Sequence, residues 1–129
     1  MSFVDVEAAT AHLDQVIAPA LREVAQELTA GGVTARVSRG EEGRDGGLAW
    51  VELRTQADEH PFVYRVQVDE SPVPTYGGRM IGDRDTYARL EVHSGDGGQD
   101  YDVMGYSDTQ VIHDCLDHYE RHLRFLRLN

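Results

Sequence analysis

Apolar residues recur at steps of three and four in two stretches of the chain, one near each end. The first stripe predicts a helix from about Asp5 to Ala30, with Asp5 as its N-cap and Gly31-Gly32 as its stop. Pro19 lies inside it, and because an interior proline costs about 3 kcal/mol we expect a kink or a break there. The second stripe predicts a helix from about Asp108 to Leu126. Its apolar members are Val111, Ile112, Cys115, Leu116, Tyr119, Leu123 and Leu126.

The start of the second helix has a recognisable capping pattern. Ser107 stands three residues before Gln110, so the hydroxyl can accept from the Gln110 backbone N–H while the Gln110 side chain reaches back. The apolar face behind this cap is expected to pack on a sheet, with Leu116 in the core. Cys115, the single cysteine, is expected to be a buried and unreactive thiol.

Between the two helices, four segments alternate between apolar and polar residues, which is typical of strands. They are Val33 to Ser38, Leu48 to Thr55, Phe62 to Val68 and Thr86 to His93. Short connections favour an antiparallel meander with both helices on one face. The predicted fold class is therefore α+β, a four-stranded antiparallel sheet flanked by an N-terminal and a C-terminal helix (α-β-β-β-β-α), in a single domain over residues 1–129.

Two segments have no sustained period. Glu70 to Asp85 is predicted to be irregular, because Ser71-Pro72-Val73-Pro74 disfavours regular strand pairing. Gln99 to Tyr106 follows a glycine turn and is predicted to be an extended connector.

The charge balance limits the classes of partner. The net charge is −11, from 23 acidic and 12 basic residues, and all of the basic residues are arginines. Because an acidic surface is repelled by phosphate backbones and by anionic lipid, we expect no nucleic-acid binding and only indirect contact with a membrane surface. No window is apolar enough to span a bilayer and no signal peptide opens the sequence, so a soluble, cytoplasmic chain is expected.

Three acid and histidine positions fall on one face of the second helix. Asp114, His118 and His122 are spaced four apart, and histidines at that spacing can hold zinc. The alternative is a solvated face with an Asp114–His118 ion pair, and with no second ligand cluster we predict no metal and no cofactor.

A second set of candidates surrounds the glycine turn. Asp100 and Asp102 would point the same way in an extended segment, which suits a cation or an acid–base pair, although turn and capping roles are the simpler interpretation. Aromatic and cationic side chains nearby could receive a quaternary ammonium group, with core or interface packing as the alternative. The ligand or interface candidates are Tyr76, Arg79, Gln99, Asp100, Tyr101, Asp102, Met104 and Tyr106.

The run from Gly97 to Ser107, followed by Gln110 to Asp114 and Asp117 to Leu126, resembles the cytosolic C-terminal domain of BetT-type choline transporters of the betaine–choline–carnitine transporter family. Val16 to Val24 is similar to the opening helix of that domain, and Phe62 to Val68 to its middle strand. The resemblance implies a non-catalytic regulatory domain on the cytoplasmic side of the plasma membrane, modulating uptake in response to osmotic stress or ionic strength.

The resemblance also implies a partner, the transmembrane part of a choline transporter, in cis or in trans. Homo-oligomerisation is a second expectation, because the helix before Pro19 carries more apolar surface than a linker helix can hide. That surface comprises Phe3, Val6, Leu13, Val16 and Ile17. The alternative functions are a free-standing module of the same fold that binds a small ligand or a protein and, third, a small metal-dependent or acid–base enzyme. We expect no enzyme.

Overall fold

The computed structural model describes residues 4–43, 46–57, 59–72, 75–76, 79–80, 86–94 and 97–128. The N-terminal helical segment has three parts, α1 (Val6–His12), a π-helical turn (Leu13–Ile17) and α2 (Ala18–Ala30). The C-terminal helix is α3 (Asp108–Leu128). Among the described helices, none combines the length and the hydrophobicity that a bilayer-spanning helix needs.

The predicted N-terminal helix is confirmed at both ends, since Asp5 Oδ1 accepts from the Ala8 N–H at 2.7 Å and the segment ends at Gly31. The disturbance expected at Pro19 takes the form of the π-helical turn just before it. The Ala18 N–H donates to the Leu13 carbonyl, so the chain remains helical while the ladder shifts by one residue. Pro19 then lies in the first turn of α2, directly after this shift in hydrogen bonding.

Five antiparallel strands form the main sheet, in the order β1-β2-β3-β6-β7, and two further strands form a small hairpin. Their bounds are β1 (Ala35–Gly40), β2 (Trp50–Thr55), β3 (Val63–Pro72), β4 (Thr75–Tyr76), β5 (Arg79–Met80), β6 (Thr86–Ser94) and β7 (Gly97–Asp102). The α+β class, the antiparallel pairing and the flanking helices are confirmed.

The prediction of four strands was wrong, because Gly97 to Asp102 is a fifth strand and not a connector. It pairs with β6 on the far edge of the sheet, with a register shift between Glu91 and His93. Two glycines and an irregular register hide the two-residue period by which a strand is recognised in a sequence. The edge position tolerates both.

The region predicted to be irregular also contains paired strands. β3 continues to Pro72, which is opposite Thr86 on β6. β2 pairs only with Val63 to Gln67, so β3 has a partner on one side by the time it reaches Pro72, and a proline is tolerated there. Beyond it, β4 and β5 pair with each other.

One hydrophobic core joins the helices to one face of the sheet. The sheet contributes alternate residues such as Val51, Leu53, Val66 and Leu90, all fully buried. The helices contribute fully buried residues that include Ala9, Leu13, Ile17, Leu21, Val111 and Cys115. A core of this composition explains why the helices lie on one face and leave the other face of the sheet to polar side chains.

The core also accounts for the apolar stripe before Pro19, on which the expectation of self-association was based. Leu13 and Ile17 are fully buried, while Val6 is partly buried against the same core. Phe3 lies outside the described residues. Val16 is partly exposed and lines a cleft. Most of the described stripe therefore packs on its own domain, and self-association stays a prediction.

Candidate functional site

Four polar side chains meet where α3 crosses the sheet, and we call them the Asp114 cluster: Tyr64, Tyr101, Asp114 and His118. The Tyr64 and Tyr101 hydroxyls both donate to Asp114 Oδ2, at 2.6 and 2.5 Å. The Tyr101 oxygen also lies 2.7 Å from His118 Nε2. The cluster joins β3, β7 and α3 through one carboxylate oxygen.

Local structure explains why these groups converge. Tyr64 points to the core side of β3, where its ring packs edge-on against His118 at a centroid distance of 5.5 Å. Asp114 and His118 are one turn apart on α3, so they present their side chains to the same face. The Tyr101 ring is nearly parallel to the His118 ring, with planes 9° apart and centroids 6.2 Å apart.

The hydrogen-bond directions follow from counting protons. Each tyrosine has one O–H, and both are directed at Asp114. The Tyr101 oxygen can then act only as an acceptor toward His118 Nε2, so that nitrogen carries a proton and donates. The result is a chain of donors from the imidazole through the phenol to the carboxylate.

Burial is the main reason why the pKa values of Tyr64 and Tyr101 lie well above the usual tyrosine value, and the hydrogen bond to Asp114 raises both further. Both phenols therefore remain protonated donors at neutral pH. Burial likewise raises the pKa of the Cys115 thiol next to Asp114, so the expectation of a buried, unreactive cysteine is supported by its environment. The arrangement suits a clamp on α3 better than a nucleophile.

Of the predicted ligand or interface candidates whose side chains are described, Tyr101 belongs to the Asp114 cluster, whereas Asp102, Met104 and Tyr106 lie outside it. Asp102 Oδ1 accepts from the backbone N–H groups of Leu90 and Met104, at 3.0 and 2.9 Å. This is the turn and capping role foreseen as the simpler interpretation of that residue. Met104 packs, partly buried, against the core.

Tyr106 lies at a separate open cleft of about 420 Å³ between the N-terminal helices and the start of α3. His12 Nε2 donates to the Tyr106 carbonyl at 3.1 Å across this cleft. The remaining cleft residues include Gln15, Pro19, Glu23 and Asp108. These lining residues include no Trp, no Phe and no second Tyr, so they do not form the aromatic cage that binds a quaternary ammonium group.

For the other four candidates the structure describes only the backbone. The backbones of Tyr76 and Arg79 pair in the β4–β5 hairpin, and those of Gln99 and Asp100 lie in β7. Their side chains lie outside what the structure describes.

The three candidate zinc ligands on α3, Asp114, His118 and His122, do not converge on a common metal position. His118 Nε2 lies 4.0 Å from Asp114 Oδ2, but Tyr101 bonds to both atoms. The His122 ring instead packs against Phe62, with centroids 5.6 Å apart. These three residues therefore act as a polar clamp and a ring contact.

The outer face of the sheet carries a network of polar side chains that could not be recognised from the sequence. Glu52 is 6% exposed and lies between Arg65 and Arg54, at 3.2 and 3.4 Å. The Arg65 guanidinium also lies 4.0 Å from the centre of the Trp50 ring. Gln67 is 1% exposed beneath the loop after β1. The two-residue period within each strand predicts that these residues share one face of the sheet. Which of them touch depends on the register between strands, which the sequence does not reveal.

Comparisons with known proteins place these features in a family context. No protein-family model matches the chain. The high-affinity choline transport protein of Escherichia coli (strain K12) is 38% identical over 120 residues, which is 91% of this chain and 17% of that protein. The osmo-dependent choline transporter BetT2 of Acinetobacter baylyi is 32% identical over 118 residues, again 91% of this chain and 17% of the relative.

A glycine betaine transporter of Acinetobacter baylyi is 39% identical over 71 residues, or 54% of this chain. The chain thus spans about a sixth of the length of the first two relatives. A match that covers most of this chain and a small part of each relative is consistent with a C-terminal domain. The chain is therefore a homologue of one domain-sized part of the BetT-type choline and betaine transporters.

Proposed function

We propose that the chain is a non-catalytic regulatory domain of a BetT-type choline or betaine transporter, lying on the cytoplasmic side of the membrane. The observation that carries the proposal is the extent of the homology, which covers 91% of this chain but 17% of a choline transport protein. Its partner would be the transmembrane part of such a transporter, in cis or in trans.

The fold supports a separate unit of this kind. α1, α2, the sheet and α3 share one core, so the domain buries its apolar residues without help from a membrane-embedded part. Among the described residues, the exposed large apolar side chains are Phe125 and Leu126, near the end of α3. Docking to a partner would therefore depend largely on polar and charged groups.

The charge distribution supports ionic strength as the regulated signal. The helical layer presents exposed acidic residues on both α2 and α3, among them Glu23, Glu27, Asp108, Asp117 and Glu120. A domain of net charge −11 beside an anionic inner leaflet is repelled over a Debye length of about 8 Å at physiological salt. A rise in cytoplasmic salt after water loss would shorten that length and favour docking.

The second candidate function is a free-standing binding module of the same fold. The cleft beside Tyr106 is the observation that favours it, because its volume of about 420 Å³ suits a small organic ligand. Calorimetric titration of the isolated chain with choline and with glycine betaine separates the two candidates. Regulation by charge predicts no saturable binding of either compound, whereas saturable binding abolished by Tyr106→Ala would favour the module.

The test of the regulatory function is deletion of the domain from the complete transporter, reconstituted in vesicles. The deletion must remove the whole domain, because a cut at Gly97 would take β7, Val103 and Val111 out of the shared core and unfold the remainder. Choline uptake at low internal salt should persist, which serves as the control for an intact transport unit. Activation by rising internal salt should be lost.

An unchanged activation curve in the deleted transporter would overturn the regulatory function. Loss of uptake at every salt concentration, together with loss of the assembled transporter from the vesicles, would instead indicate a role in assembly.

A further inference from the structure

Three side chains that can bind a metal meet on the outer face of the sheet, away from the Asp114 cluster. They are Asp69 on β3 and Glu91 and His93 on β6, and one ligand atom from each lies within 4.8 Å of the other two. β3 and β6 pair so that Gln67 is opposite Glu91 and Asp69 is opposite Arg89. Asp69 and Glu91 are therefore diagonal neighbours, and the three side chains leave the same face of two central strands.

The orientation of both carboxylates is fixed by neighbouring donors. The Gln67 amide donates to Asp69 Oδ1 at 2.8 Å, and Arg89 contacts Glu91 Oε1 at 2.8 Å. Gln67 is itself held under the loop after β1, because a Cβ added to Gly43 or Gly47 would collide with its amide. The other oxygens, Asp69 Oδ2 and Glu91 Oε2, are directed at His93. Metal-binding carboxylates are commonly oriented by a second layer of donors in this way.

The imidazole supplies an independent observation. His93 Nε2 is a fully buried atom, and it has no hydrogen-bond partner among the described residues. It lies 3.6 Å from Asp69 Oδ2 and 3.7 Å from Glu91 Oε2, beyond hydrogen-bonding distance of both. A buried, unpaired polar atom is costly unless something in the site satisfies it.

The spacing suits a divalent ion. Bonds of about 2.0–2.2 Å around a tetrahedral centre place the ligand atoms roughly 3.3–3.6 Å apart. The two distances from His93 Nε2 are within a few tenths of an ångström of that range, so small side-chain rotations would complete the site. Each of the three side chains is about one-fifth exposed, so the cluster lies close to solvent although His93 Nε2 itself is covered.

We propose that Asp69, Glu91 and His93 form a binding site for Zn²⁺ or a similar first-row divalent cation, with water as a further ligand. One imidazole and two carboxylates suit zinc, whereas Mg²⁺ selects oxygen ligands and several waters. The proposal departs from the expectation of a chain without metal, which rested on the spacing within α3 alone. It stands independently of the regulatory function, because it concerns ion binding by the isolated domain.

The test is calorimetric titration of the chelator-treated 129-residue chain with Zn²⁺. We expect one ion per chain and loss of at least tenfold in affinity in Glu91→Gln and in His93→Gln. His113→Gln, an exposed histidine on α3, is the matched control and should bind as the unmodified chain does. His118→Gln distinguishes the outer-face site from the Asp114 cluster.

A second measurement on the unmodified chain avoids dependence on variants that fold poorly. In ¹H–¹⁵N spectra of the six histidines, Zn²⁺ should shift the Nε2 resonance of His93. That resonance is assigned by comparison with His93→Gln under conditions where both proteins show the same backbone spectrum. Absence of saturable binding below about 1 mM, or binding lost in His118→Gln and retained in His93→Gln, would overturn the proposal.

Discussion

At the level of single residues, Asp114 links α3 to two strands of the sheet through its hydrogen bonds to Tyr64 and Tyr101. Its Oδ2 accepts two phenolic hydrogen bonds in a partly buried site. A hydrogen bond to a charged acceptor contributes more than one between neutral groups. We therefore expect the clamp on α3 to be measurable one hydroxyl at a time.

Tyr101→Phe should lower the free energy of unfolding by roughly 1.5–3 kcal/mol, because it removes a donor from a charged carboxylate and an acceptor from His118. Urea denaturation monitored by circular dichroism provides the measurement. Tyr106→Phe is the matched control, since only the backbone of that residue bonds within the described structure, and it should change stability by less than about 0.5 kcal/mol. A loss of stability in Tyr101→Phe as small as that in Tyr106→Phe would show that the Tyr101 hydroxyl does not stabilise the fold.

The raised tyrosine pKa values predict a loss of stability at alkaline pH. Below a pH of about 10, both phenols are protonated in the folded and unfolded states, and pH has no effect through them. Above it, the unfolded chain releases protons that the folded chain retains, so the free energy of unfolding falls as pH rises, by at most about 1.4 kcal/mol per pH unit through the buried Tyr64 and by less through the half-buried Tyr101. Denaturation from pH 9 to 11 should show this slope, and the double variant Tyr64→Phe, Tyr101→Phe should flatten it. An equal slope in both proteins would show that Tyr64 and Tyr101 do not cause the loss of stability at alkaline pH.

The composition of the Asp114 cluster was only partly predictable at this scale. Asp114 and His118 were recognisable as neighbours because they are one helical turn apart. Tyr64 comes 50 residues earlier and was predicted as an apolar strand position, so nothing local associates it with Asp114. The same limit hid the contacts among Asp69, Glu91 and His93, which arise from the register of two strands.

At the scale of elements, local signals placed the helices and non-local pairing decided the sheet. Ser107 and Gln110 form the predicted capping box, with Ser107 N–H to Gln110 Oε1 at 2.8 Å and Gln110 N–H to Ser107 Oγ at 3.3 Å. Caps depend on residues three apart and are visible in a sequence. β7 depends on pairing with β6, and its glycines conceal the period, so it was missed.

The packing of the elements buries Leu13 more completely than Leu116. The apolar face of α3 was expected to place Leu116 in the core, but Val111 and Cys115 are fully buried and Leu116 only partly. Leu13, on the π-helical turn, is fully buried. We expect Leu13→Ala to cost roughly 2–5 kcal/mol and Leu116→Ala about 1 kcal/mol in urea denaturation. The reverse order would mean that α3 packs more tightly than the π-helical turn.

At the scale of the whole molecule, the excess of acidic residues is the property most closely tied to the proposed function. Exposed charges are screened by salt, whereas buried apolar contacts are affected much less. Coupling through the acidic helical layer should therefore respond to ionic strength even though each individual charge contributes little.

Neutralising part of that layer should imitate high salt. The triple variant Glu23→Gln, Glu27→Gln, Asp117→Asn removes three exposed negative charges from a net charge of −11. In the complete transporter, half-maximal activation of choline uptake should move to a lower internal salt concentration. The matched control, Glu23→Asp, Glu27→Asp, Asp117→Glu, keeps the charge and should leave the activation curve in place. A shift of the same size in both variants would rule out the charge mechanism.

We propose that the domain confers a response to ionic strength, and the test must separate the effect of ions from that of water loss. Vesicles containing the complete transporter, with this domain present, are loaded with either potassium chloride or sucrose at matched internal osmolality, and initial choline uptake is measured. We expect activation of uptake by the salt and little or none by sucrose, because only ions screen the charges of the domain. Equal activation by both solutes would show that osmolality, and not screening of this acidic domain, is the signal.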